Sequence, residues 1–214
     1  MHEAQPAFQY ATLEQQHDAA QLGMWTFLAT EVLFFGGLFV AYFVYRFGYP
    51  ADFAEAGRHT KIVIGALNTA ILLSSSFLVA WAVTAAKLDF GRLAAGLLVG
   101  ATLLGAFFLA LKGYEYVQEF RERLVPGVNF QFEAPHARGA ILFFIFYFAA
   151  TGLHALHVGI GLVILLAIAS RARQGAYSIC YHAPITVAGL YWHFVDVVWV
   201  FLFALIYLVG RSGA

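Results

Sequence analysis

Five stretches of this chain are each about 20 residues long or longer and nearly free of charge. That is the length a helix needs to cross about 30 Å of hydrocarbon. They run over residues 22–47, 62–86, 93–111, 139–169 and 184–209. Lipid offers no partner for backbone N–H and C=O groups, so each stretch must satisfy its backbone internally, as a helix does. The expected architecture is all-α: a polytopic integral membrane bundle of five transmembrane helices. With 62% hydrophobic and only 11% charged residues, the chain falls far below the roughly 25% charged residues of soluble domains. A formal net charge of zero argues against nucleic acid as a partner, because that surface calls for a basic patch. The single cysteine, Cys180, excludes an intrachain disulfide and any cysteine-clustered metal site; it reads as an apolar filler.

The joints follow from the breaks in hydropathy. Residues 1–21 form a polar tail without Lys or Arg, and the apolar run that follows is too long for the h-region of a signal peptide. The first segment is therefore expected to remain as a span, opening a membrane domain over 22–209 that leaves a short tail at 210–214. "YPADFAEAGRH", "KLDFGR", "EYVQEFRERLVPGVNFQFEAPHAR" and "RARQGAYSICYH" read as connections, and Pro184 suits the first turn of the last helix. Small residues (Gly36-Gly37, Gly65, Ser74 to Ser76, Gly96, Gly100 and Gly105) should let helices approach closely. Four Lys/Arg (Lys87, Arg92, Arg171, Arg173) fall on the side of the N-terminal tail and eight on the other. By the positive-inside rule alone, the N-terminus would lie outside.

Ionisable residues at membrane depth cost a few kcal/mol each and mark functional candidates. Here they are Glu31, His154, His157, His193 and Asp196. With about 1.5 Å of rise per residue and helices alternating in direction, all five come to a similar depth, as one polar cluster would. His154 and His157 are i, i+3, as are His193 and Asp196, so each pair shares a helix face. A histidine donating to a carboxylate would satisfy both groups and tie the fourth span to the fifth. Facing histidines can also hold a haem, although only two helices supply them here, and no HExxH or carboxylate–histidine metal pattern occurs. Glu31, in "FLATEVLFFGGLF", lies among aromatic and aliphatic residues that favour the protonated acid. Hydrogen bonding to a neighbour, proton handling and contact with a lipid headgroup or buried water all remain open to it. Lys112, Glu115 and Tyr116 in "LKGYEYVQEF" read as an interfacial motif, with the lysine snorkelling to water.

Four blocks resemble subunit III of the haem–copper respiratory terminal oxidases, in that family's order. "TEVLFFGGLF" matches the helix with its buried carboxylate, at Glu31. "KGYEYVQEF" matches its K-x-x-E-Y block at Lys112, Glu115 and Tyr116. "TGLHALHVGIGL" matches its TGxHxLHVxxG block at Thr151, Gly152, His154, Leu156, His157, Val158 and Gly161. "YWHFVDVVWVFLF" matches its C-terminal signature, and Arg171 and His182 fall where the family has an Arg and a His. The resemblance spans 22–209 and is to the short, five-helix bacterial form lacking the first two helices of the mitochondrial one. An acid that some members carry early in the last helix is Thr186 here.

The resemblance implies an accessory subunit of a proton-pumping oxygen reductase, not catalytic alone. Haems and copper belong to partner subunits, and this chain binds no cofactor except structural phospholipids. The implied partners are subunit I, in direct contact near its proton-uptake path, subunit II of the same complex, and membrane lipids; membership of a larger respiratory supercomplex stays open. Arg171, His182 and Trp192 become candidates for lipid headgroups. The implied location is the bacterial inner membrane, N-terminus in the cytoplasm and C-terminus outside, against the charge count. The electron donor stays open between cytochrome c and quinol. Two alternatives remain: the related small subunit associated with nitric-oxide reductases, and a stand-alone haem-binding membrane cytochrome.

Overall fold

The computed structural model describes residues 8–132, 135–174, 182–209 and 211. Cys180 and the outer parts of both tails lie outside the described residues. Six helices and no strand occur among them: α1 (Leu13–Gly48), α2 (Pro50–His59), α3 (Ile62–Lys87), α4 (Gly91–Arg121), α5 (Ala137–Arg173) and α6 (Ala183–Tyr207). All but α2 are long and apolar enough to cross a membrane, so the fold is the expected polytopic bundle.

The first four expected spans are cores of longer helices, whereas the fifth, 184–209, runs two residues past the end of α6 at Tyr207. α1 starts at Leu13, inside the stretch assigned to the polar tail, where the Thr12 hydroxyl accepts from the Gln15 N–H and caps the first turn. α4 runs on to Arg121, beyond the drop in hydropathy at Lys112. The segment read as the first connection holds α2, a ten-residue helix with Pro50 in its first turn. It lies along the end of the bundle with Phe53, Ala56 and Gly57 buried.

α2 also supplies what α5 lacks. α5 begins with no side-chain cap of its own, and the Asp52 carboxylate accepts from Gly139 N–H at 3.0 Å and from His136 Nδ1 at 2.7 Å. A carboxylate at a helix N-terminus also meets the positive end of the helix dipole. Gly139 permits the approach, because a Cβ there would sit 2.3 Å from Asp52 Cβ.

α3 and α4 form the most closely packed pair, with α6 against α3 and α5 against α4. α1 stands more apart, touching α5 and α6. Its anchor is the Tyr42 hydroxyl, which donates to the Leu205 carbonyl of α6. Ser75 of α3 donates to Ala101 O of α4 and accepts from Trp192 Nε1 of α6. The Trp192 ring rests against Gly105 and Gly161, where a Cβ would come within 2.8 and 2.9 Å of it. These two glycines are small because a buried indole fills the space.

Candidate functional site

Where α1 leans against α5 and α6 it leaves a groove of about 590 Å³. Its walls are apolar side chains such as Met24, Phe27, Ile160, Ile164 and Val187, and its polar members are Glu31, His157 and Tyr191. Glu31 Oε2 lies 3.2 Å from His157 Nε2. His157 Nδ1 is 2.8 Å from the Leu153 carbonyl. A carbonyl can only accept, so the Nδ1 proton is committed there and Nε2 faces Glu31. The two groups face each other, but no hydrogen bond of good geometry closes on Glu31 Oε2 among the described residues. Both side chains are mostly covered, 17% exposed for Glu31 and 15% for His157. Ile168 and Pro184 line the far end of the groove. Arg171 is exposed one turn beyond Ile168, and His182 stands two residues before Pro184; neither is among the residues that line the groove. The His182 ring packs 5.6 Å from that of His17.

The structure divides the expected cluster among three places. His157 goes to Glu31. His154, 1% exposed, packs between the rings of Phe108 and Trp199, and neither ring nitrogen has a hydrogen-bond partner among the described residues. His193 and Asp196 turn toward α3: His193 Nδ1 is 2.6 Å from Ser76 Oγ, and Asp196 faces the same hydroxyl. The tie made by this pair thus joins α6 to α3 rather than the fourth span to the fifth. The serine run at 74 to 76, read as small residues for close packing, supplies the polar partners. Thr186 caps back onto the His182 carbonyl at 3.4 Å.

Two expectations need correction. Trp192 is 1% exposed with its N–H committed to Ser75, so it is a core side chain and no headgroup contact. Lys112 does not snorkel. It is 2% exposed and Glu115 is fully buried, because α4 continues past them while α5 and α6 close over both with aromatic side chains. Lys112 Nζ donates to Glu115 Oε2 at 3.0 Å, to Tyr147 OH at 2.8 Å and to Tyr207 OH at 2.7 Å. It also stands 4.4 Å from the centre of the Tyr147 ring, a cation–π distance. The Thr151 hydroxyl donates to Tyr147 O, so the Tyr116 hydroxyl is the donor in its bond to Thr151. Glu119, one turn beyond Glu115 and 1% exposed, joins this cluster; the sequence reading missed it. Its signal was the i, i+3, i+7 spacing of Lys112, Glu115 and Glu119 on one helix face.

No group of three His, Cys, Asp or Glu side chains among the described residues is arranged to hold a metal ion. The chain's site chemistry is that of acids, a lysine, tyrosines and an apolar groove.

The family model described as cytochrome c oxidase subunit III matches residues 5–211. Among curated relatives, the chain is 34% identical over 195 residues to cytochrome c oxidase subunit 3 of Thermostichus vulcanus, covering 91% of this chain and 89% of that protein. It is 36% identical over 209 residues to the protein of the same name in Bacillus sp. (strain PS3), covering 95% and 91%. With that of Drosophila melanogaster the identity is 34% over 195 residues, covering 88% of this chain but 68% of the longer insect protein.

Proposed function

Because the chain belongs to the cytochrome c oxidase subunit III family, and with it is an accessory subunit of a haem–copper oxidase, we propose that it binds phospholipid and supports subunit I without a redox centre of its own. Haems and copper reside in partner subunits. Subunit I is the direct neighbour, subunit II belongs to the same complex, and the N-terminus faces the cytoplasm of a bacterial plasma membrane.

The observation that carries this reading is the groove between α1, α5 and α6. It is an apolar slot as an acyl chain requires, and Arg171 and His182, three and two residues along the chain from its lining residues Ile168 and Pro184, are our candidates to meet a phosphate-bearing headgroup with a cation and a donor. Glu31 of α1, the helix that stands partly apart from the bundle, faces His157 of α5 in the groove. In this reading the groove keeps lipid beside subunit I and the pair keeps the local proton supply steady during turnover.

Filling the groove tests the lipid part. In the purified oxidase complex, Ile164→Trp should reduce the tightly held phospholipid, counted by mass spectrometry, while the chain stays assembled. An unchanged lipid complement in an assembled Ile164→Trp complex would overturn it.

A further inference from the structure

The Lys112 cluster holds one cation and two carboxyl groups, and their wiring is unequal. Lys112 spends its three N–H donors on Glu115, Tyr147 and Tyr207. A tyrosine hydroxyl that accepts from an ammonium keeps its own proton for a carboxyl. Tyr207 gives its proton to Glu115, at 2.8 Å from Oε1 and 3.0 Å from Oε2. Tyr147 faces Glu119, yet neither Glu119 oxygen closes a hydrogen bond of good geometry. Glu115 thus receives the ammonium and a hydroxyl, whereas Glu119 receives neither securely.

Burial decides the consequence. Lys112 is 2%, Glu115 0% and Glu119 1% exposed. A single ammonium neutralises a single carboxylate, and a second buried carboxylate would carry uncompensated charge at a cost of several kcal/mol. The other groups around it do not supply a second cation. Glu122, next along α4, is itself acidic and pairs with Lys61 at the surface. Arg123 binds Gln131. Among the described residues, α5 and α6 bring the hydroxyls of Tyr147 and Tyr207 to the cluster and the His154 ring to the Lys112 side of it. Arg211, just past α6, donates to the carbonyls of Tyr207, Arg58 and Thr60. A bound proton removes the excess charge, and the carboxyl with the fewest donors is the one to take it.

We propose that Glu119 is a proton-binding site, holding one proton for the Lys112–Glu115–Glu119 cluster and exchanging it with water at the nearby end of α4. Glu119 lies two residues before the end of α4 at Arg121, next to the exposed Glu122–Lys61 pair, so the path to water is short. The proton comes from water and returns to it. This site is separate from Glu31–His157 and does not rest on the role proposed for the groove.

Infrared spectroscopy of the assembled oxidase, in H2O and in D2O, reads protonated carboxyls directly through their C=O stretch. A band that shifts in D2O should be lost in Glu119→Gln and kept in Glu31→Gln. Glu115→Gln should also abolish it, because Lys112 is then free to hold Glu119 as the carboxylate. Since glutamine mimics the protonated acid, Glu119→Gln should assemble as the unaltered chain does. The proposal is overturned if the band survives in Glu119→Gln, if Glu115→Gln leaves it unchanged, if D2O does not shift it, or if Glu119→Gln fails to assemble.

Discussion

Two sites in this bundle pair acids with a base, and they differ in how many helices enclose them. The Lys112 cluster is sealed by α4, α5 and α6, its charged groups at most 2% exposed. Glu31 and His157 meet across a single seam between α1 and α5, and each keeps part of its surface open to a groove. A sealed ion pair cannot lose one partner without stranding the other in a low dielectric, whereas a pair on a groove can recruit water or a lipid headgroup. The first arrangement is built to hold helices together and admits nothing larger than the proton proposed for Glu119, and the second is open to something from outside the chain.

Removing the cation from the sealed cluster should have the largest effect. Lys112→Met leaves Glu115 without its ammonium, at a cost of about 3–5 kcal/mol, and the chain should be lost from the purified complex. Recovery at normal stoichiometry would erase the contrast between the two sites. Tyr207→Phe deletes the hydroxyl that accepts from Lys112 and donates to Glu115. It should cost about 1–3 kcal/mol, read as a lower thermal midpoint of this subunit within the complex. Ser76→Ala removes the hydroxyl facing His193 and Asp196, and about 0.5–1.5 kcal/mol should appear in the same measurement. Glu31→Gln should be the mildest, about 1 kcal/mol or less, because the groove can rehydrate what is left; a loss as large as that of Lys112→Met would make Glu31 structural.

The spans were legible because lipid enforces one solution for the backbone, so about 20 apolar residues imply a helix wherever they occur. What hydropathy does not register is a helix that continues after its residues turn polar. That is why Lys112 looked interfacial: the fall in hydropathy at 112 marks a buried polar face, not the end of α4. α2 was lost for a related reason, its apolar face being only Phe53, Ala56 and Gly57 within a segment rich in charge. Pro50 at its start was the available signal.

The polar residues were found but not their partners. Glu31, His154, His157, His193 and Asp196 stand out by chemistry alone. Partner choice depends on helix rotation, which spacing within one helix cannot supply. Serines 75 and 76 show this most clearly, since a serine in an apolar helix reads equally as a small residue for packing and as a hydrogen-bond donor. Trp192 was placed at the headgroups on family pattern, and the depth of its indole became visible only with Gly105 and Gly161 beneath it.

The supporting role is tested most directly by the lifetime of turnover. Oxygen consumption of the complex lacking this chain should begin at a substantial rate and then decay over successive turnovers, and Glu31→Gln in the assembled complex should decay at an intermediate pace. Sustained turnover without the chain, indistinguishable from the complete complex, would contradict the account.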